Sequence, residues 1–277
     1  MKRVFILGAT GYIGSHLAAF LRDDFEVVTL GRKNSDVIFD LESNNFDELV
    51  DKINANDTLV FLSAISAPDL CEKNYEYAFD INVRKTILLT SMLLEKKVKV
   101  IFSSSDAVFG NAKNICDERD EKRPFGKYGQ MKSEVEDYFH DNNNFFVTRF
   151  SYVLGKGDKF TLMIDDYYNN GKTLAVFDGF ERSVIMINDV LSGIRNIITN
   201  WEKINTRVVN FSGNSLVSRQ DIVTAIVKEK YHSLSFKFID APESFWQGRP
   251  KKIHTKSIFL ESIINRSLES YLAVCKE

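Results

Sequence analysis

Apolar residues along this chain fall into two alternating textures. Short, almost continuous runs occur at RVFIL (3–7), EVVTL (26–30), TLVFLS (58–63), VKVIFSS (98–104), FFVTRF (145–150) and RVVNFS (207–212). Between them lie longer stretches near 12–23, 75–96, 128–140, 188–199 and 218–229, where apolar and polar positions mix. The first texture predicts strands and the second amphipathic helices. A strand that is apolar at successive positions is buried on both faces, so the sheet is parallel and covered by helices on each side. The alternation is strict up to residue 150 and loosens beyond it, where LAVF (174–177) and LSFKF (234–238) are short and mixed. The expected fold class is α/β: a doubly wound parallel sheet built from 1–150 and completed by about 186–213, with 151–185 and 214–277 forming a smaller C-terminal lobe.

Composition narrows the class. Hydrophobic residues make up 44% of 277, enough for a sizeable core. A formal net charge of −2 gives no basic excess for nucleic acid. Cys71, Cys116 and Cys275 are scattered and odd in number, which reads as reduced thiols in a cytoplasmic protein. His16, His140, His232 and His254 show no metal-ligand spacing, so no metal is expected. The start, MKRVFILGATG, has too short an apolar run for a signal peptide, and no segment approaches a membrane span. A soluble cytoplasmic protein without nucleic-acid or membrane partners is expected.

The first strand runs directly into GATGYIG, with Gly8, Gly11 and Gly14 spaced G-x-x-G-x-x-G. Glycines let the backbone turn tightly and approach a pyrophosphate, and the following helix offers its first amides to it. The position between a strand and a helix at the head of a βαβ unit is the context such a loop needs, and it marks a Rossmann dinucleotide site. Thr10, Tyr12 and Ile13 belong to the same loop. The second strand ends in Gly31-Arg32-Lys33, without the acid that would hold a ribose 2′-hydroxyl. A guanidinium there pairs well with a 2′-phosphate, which favours NADP(H) over NAD(H).

The fourth strand ends in FSSSDAVFG (102–110). Ligands of doubly wound sheets sit outside the carboxyl ends of the strands, so hydroxyls at Ser103 and Ser105 would face a bound molecule rather than the core. KYGQMK follows, with Tyr128 and Lys132 at i and i+4 on one helical face. A neighbouring ammonium favours the phenolate, so Lys132 is expected to lower the phenol's pKa of ~10. Tyr152–Lys156 and Tyr168–Lys172 share the spacing, but a glycine just before each lysine reads as a turn.

Together these motifs resemble the extended short-chain dehydrogenase/reductase family, over nearly the whole chain. The resemblance implies a catalytic set of Ser105, Tyr128 and Lys132, with Lys132 also holding the cofactor ribose. It places Asp40 and Leu41 of VIFDL at the adenine, and Leu62, Ser63, Ala64 and Ser103 along the cofactor. It gives Ser66, Asp106 and Phe109 to the substrate, Arg182 and Arg249 to substrate phosphates, and Asn82 a structural role behind the site. Family dehydratases carry Thr-Asp-Glu where this chain has Ser105-Asp106-Ala107, so the carboxylate that abstracts a proton is missing. SSDAVF is instead similar to the S-T-D-Y-V-F of dTDP-4-dehydrorhamnose reductases and related ketoreductases. The resemblance therefore implies NADPH-dependent reduction of a nucleotide-linked keto sugar, a 4-keto-6-deoxyhexose, for surface polysaccharide synthesis. An epimerase with retained NAD and a non-catalytic NADP sensor are the alternatives. It also implies a homodimer packed through the helices near 75–96 and 128–140, although ILLTSMLL could equally face the core.

Overall fold

The computed structural model describes residues 2–276. Its centre is a seven-stranded sheet of β1 (Arg3–Leu7), β2 (Glu26–Gly31), β3 (Val37–Ile38), β4 (Thr58–Phe61), β5 (Lys99–Ser105), β6 (Phe145–Phe150) and β7 (Val208–Phe211). The strand order is β3-β2-β1-β4-β5-β6-β7, and every pairing is parallel. The expected fold class is the one observed. Order reverses between β1 and β4, which opens a crevice at their carboxyl ends.

The continuous apolar runs have a direct cause. Successive side chains of a strand point to opposite faces, and here both faces are covered. Phe5, Leu7, Leu59, Phe61 and Phe102 pack on one side, with Leu89 and Leu93 of α2 (Thr86–Glu95) and Met131 and Val135 of α3 (Gly126–Tyr138). Val4, Ile6, Val60, Ile101 and Phe146 pack on the other, with Leu17 and Leu21 of α1 (Tyr12–Leu21) and Ile194 and Ile197 of α5 (Ile187–Asn200).

The helix expected over 75–96 is divided. Tyr75–Phe79 is α-helical, Asp80–Lys85 forms a π-helix, and α2 follows. The wide turn carries Asn82, 2% exposed, into the interior. There its carboxamide accepts from the Ile65 N–H at 2.8 Å and donates to the Ile65 carbonyl at 3.0 Å. A local π-turn is a common device for re-aiming one side chain in a helix.

Beyond β6 the strands are short. Val153–Leu154 pairs with Ile185–Met186, and Glu181–Ser183 with both Leu216–Ser218 and Lys252–Ile253. Leu174–Phe177 pairs with Phe236–Ile239. With α4 (Lys159–Asn169) and α6 (Arg219–Glu229) they enclose a separate core around Phe160, Ile164, Val176, Val184, Ile222 and Ile226. Among the described residues no helix is long and apolar enough to cross a membrane.

Candidate active site

The glycine loop is built for close approach. Gly8 has φ +93°, and a Cβ there would lie 3.0 Å from the Ser63 backbone nitrogen at the end of β4. A Cβ on Gly14 would sit 2.3 Å from the Gly8 carbonyl oxygen, so α1 can pack onto the loop only as glycine. No side chain caps α1, which leaves its first amides for an anionic ligand.

A cleft of about 760 Å³ runs from this loop across the carboxyl ends of the strands. Gly8, Thr10, Gly11, Tyr12, Ile13, Gly14, Arg32, Leu62, Ser63, Ala64 and Ser66 line it, with Ser103, Ser105, Asp106, Tyr128, Arg182 and Arg249. Asp40 and Leu41 line a neighbouring cavity of about 350 Å³ that shares Gly8, Thr10, Arg32, Ser63 and Ala64 with the cleft. The structure thus gathers residues spread over most of the chain around one cleft and the cavity that adjoins it.

Two expected site residues do not line it. Phe109 is fully buried in a small cluster with Val108 and Cys116, under the Arg149 guanidinium. The 3₁₀ turn Asp106–Phe109 that starts after Ser105 carries its ring away from the cleft. Lys132 is 2% exposed and stands behind the wall: its Nζ donates to the Ser103 carbonyl at 2.7 Å and lies 4.5 Å over the Phe102 ring. In this structure its ammonium supports the strand end and does not reach out to a ribose. Arg182 and Arg249 do line the cleft, yet both guanidinium groups are engaged within the protein.

The hydroxyls of β5 alternate as a strand requires. All three serines border the cleft, and the Ser104 hydroxyl turns to donate to Glu136 on α3. Ser105 caps the following turn by accepting from the Ala107 N–H at 3.2 Å, and its hydroxyl donates to Asp106 at 3.1 Å. Ser151 donates to the other Asp106 oxygen at 2.9 Å. Burial pushes the Asp106 carboxyl above its ordinary value, opposed by Arg182 and by these two hydroxyls.

Electrostatics at Tyr128 differ from the sequence expectation. Burial, then the Cys71 and Asp106 side chains, push its phenol well up. The Lys132 Nζ is 5.8 Å from the ring centroid, too far behind the wall to offset burial. The protein groups alone therefore hold Tyr128 as a protonated phenol. Lys132 is brought down to about 8 by burial, with Glu136 one helical turn further along α3 opposing the fall. Glu136 in turn receives Arg149 through Nε at 3.1 Å and Nη2 at 2.7 Å.

Sequence reasoning missed Ser151, Tyr152, Asp158, Lys159 and Phe180, which also line the cleft. Ser151 was within reach, because it follows the last residue of β6 just as the serines end β5. The others come from the small sheets and the start of α4, where no strand-end rule applies.

Residues 1–243 match the RmlD substrate binding domain, which is most of the chain. The chain belongs to that family. It is thus an extended short-chain dehydrogenase/reductase, an NAD(P)-dependent enzyme of the class that reduces or epimerises nucleotide-linked sugars. An ADP-L-glycero-D-manno-heptose-6-epimerase of Brachyspira hyodysenteriae is 25% identical, over 90% of this chain and 87% of the epimerase. A dTDP-4-dehydrorhamnose reductase of Sinorhizobium fredii is 33% identical, over 56% of this chain and 51% of the reductase. A solved dTDP-4-dehydrorhamnose reductase of Bacillus anthracis, in complex with NADP, superposes with a TM-score of 0.86 at 20% identity, covering 100% of this chain and 98% of that one. That likeness shows the shared fold.

Proposed function

We propose that this family member is an NADPH-dependent reductase of a nucleotide-linked keto sugar, a 4-keto-6-deoxyhexose, in the cytoplasmic supply of surface polysaccharide precursors. The observation that carries the reading is that the Tyr128 phenol and the Ser105 hydroxyl line one cleft, where burial favours the neutral phenol. A carbonyl that accepts hydride needs a proton on its oxygen, and a phenol that burial keeps neutral can give one. Tyr128 Oη donates that proton, and Ser105 Oγ hydrogen-bonds the same oxygen as negative charge builds on it. Lys132 steadies the Ser103 backbone beneath them.

The cradle fits a dinucleotide: Gly8 and Gly14 leave no room for a Cβ, the α1 amides are uncapped, and a second cavity extends past Arg32 to Asp40 and Leu41. NADPH would supply the hydride there. The Arg32 side chain is 72% exposed, and among the described residues it is paired only loosely, with Glu42 at 3.8 Å, so the guanidinium is available to a 2′-phosphate. Arg32→Ala is expected to weaken NADPH about tenfold and NADH little, a difference that a charge-assisted contact supplies. Parallel KM measurements with both cofactors check it; equal losses would remove Arg32 from the selectivity. A homodimer through α2 and α3 belongs to this reading, since Leu88 and Tyr138 stand exposed on them at 49% and 62%.

The similarity to a heptose epimerase over 90% of the chain favours one second reading, an epimerase that retains its cofactor. NADPH and NADH consumption against a panel of nucleotide-linked 4-keto-6-deoxy sugars separates the two. Net oxidation of NADPH supports the reductase. No net oxidation, together with NAD released from denatured protein, would replace it with the epimerase.

A further inference from the structure

The second strand runs into an arginine and lacks the acid that would meet a ribose there, yet the fold returns an acid to that point from elsewhere. Glu42, in the turn after β3, lines the adenine-side cavity together with Gly31, Arg32, Asp40 and Tyr77. Its Oε1 lies 3.8 Å from Arg32 Nη1, and this is the one ion pair that Arg32 makes among the described residues.

Several bonds fix Glu42 in front of Arg32. Its N–H donates to Asp40 Oδ1 at 3.0 Å, and its carbonyl accepts from Lys85 Nζ. Its Oε1 accepts from the Tyr77 hydroxyl at 2.7 Å, which arrives from the short helix Tyr75–Phe79. That hydrogen bond pushes the Tyr77 phenol up, so Tyr77 remains a donor. Asp40 lines the same cavity, but its carboxylate is tied to its own turn by the Glu42 N–H. Of the two acids around the cavity, Glu42 is thus the one that faces the guanidinium.

Such a pair reads the adenosine ribose in two opposed ways. A 2′-phosphate gains Arg32, but it must take the guanidinium from Glu42 and then meets a like charge beside it. A 2′-hydroxyl carries no charge to repel, and a carboxylate accepts its hydrogen bond. Arg32 therefore favours one cofactor and Glu42 the other. Both side chains are partly solvated, at 72% and 44% exposure, so water and salt hold the opposing effect to a modest size.

We propose that Glu42 is a specificity-determining residue that works against Arg32: it limits the preference for the 2′-phosphate and keeps NAD(H) within reach of the same site. The inference rests on the dinucleotide reading of the cleft, with Arg32 at the 2′-phosphate, and not on the identity of the sugar.

Calorimetric titration of the nucleotide-free protein with NADP⁺ and NAD⁺ tests this without any turnover. Glu42→Gln keeps the size of the side chain and removes its charge. It is expected to raise the ratio of NADP⁺ to NAD⁺ affinity about threefold to fivefold, the scale of one exposed charge interaction. The same change is expected for adenosine 2′,5′-bisphosphate against 5′-AMP, which places the effect at the adenosine end. NADP⁺ affinity should also fall more steeply with salt in Glu42→Gln than in the unaltered protein, because the variant leaves the Arg32 charge uncompensated. An unchanged ratio with an unchanged salt slope in Glu42→Gln overturns the proposal. Arg32→Ala separates that failure from failure of the cofactor reading. If Arg32→Ala lowers the ratio and Glu42→Gln leaves it alone, Arg32 keeps its role and Glu42 loses the one proposed. If Glu42→Gln raises the ratio and Arg32→Ala leaves it alone, Glu42 repels the phosphate as proposed and the group that binds it is not Arg32.

Discussion

Tyr128→Phe lowers kcat by about a hundredfold to ten-thousandfold, the usual range for loss of a positioned proton donor, while affinity for the dinucleotide stays near that of the unaltered protein. The substitution removes one hydroxyl and no packing, so the fold and the glycine loop are untouched. Hydride delivery then leaves an alkoxide with only Ser105 to hydrogen-bond it. The sign follows from the geometry: burial keeps the phenol neutral, so what is lost is an acid. Single-turnover rates alongside cofactor fluorescence check both halves of the statement. A variant with full turnover would place the proton donor elsewhere, with the buried carboxyl of Asp106 next in line. A variant that kept the biological activity without turnover would point to the sensor.

Glu136→Ala destabilises the protein by about 3–5 kcal/mol, the cost of breaking a buried ion pair by removing one partner. Glu136 is 4% exposed, and Arg149, 5% exposed, keeps one terminal nitrogen buried without a partner even when the pair is intact. Without the carboxylate the Arg149 charge stays inside, and Ser104 loses its acceptor. Urea unfolding measures the loss; a change below about 1 kcal/mol would place the pair among those worth little. The milder Glu136→Gln carries a second signature. Lys132 titrates near 8 in the folded protein against 10.5 for the free side chain, and Glu136 is the main group holding it up. Removing that charge moves the ammonium's titration lower, so the alkaline limb of the rate profile moves to lower pH. The linkage has the same sense as that of a carboxylate whose pKa is lowered on folding. Between about 8 and 10.5 the unfolded chain holds the proton that native Lys132 has released, so on this account stability rises with pH across that window.

Much of the site was legible because strand ends obey a positional rule. Three serines closing an apolar run, and glycines bridging a strand to a helix, each conflict with burial unless a ligand lies beyond the sheet. The family resemblance, not this rule, put Phe109 in the site, and it misled because a motif one turn past the strand is oriented by its own local turn and not by the sheet. Glu136 was hidden for a different reason. It continues the Tyr128–Lys132 stripe by four residues, and its burial is explained by partners that only folding brings to it, Arg149 from β6 and the Ser104 hydroxyl from β5. Glu42 could not be read at all, because Arg32 and Tyr77, which meet its carboxylate, come from the end of β2 and from the short helix Tyr75–Phe79, segments brought together only by folding.

The Asn82 carboxamide has a thermodynamic consequence for ligand capture. By holding the N–H and the carbonyl of Ile65 at once, it makes the stretch from Leu62 to Ser66 part of the scaffold. A cofactor arriving against that stretch has little chain left to immobilise, so less of the contact energy is consumed by ordering. Rigidity contributed from beneath the groove thus appears as affinity at its surface, through a residue that touches no ligand.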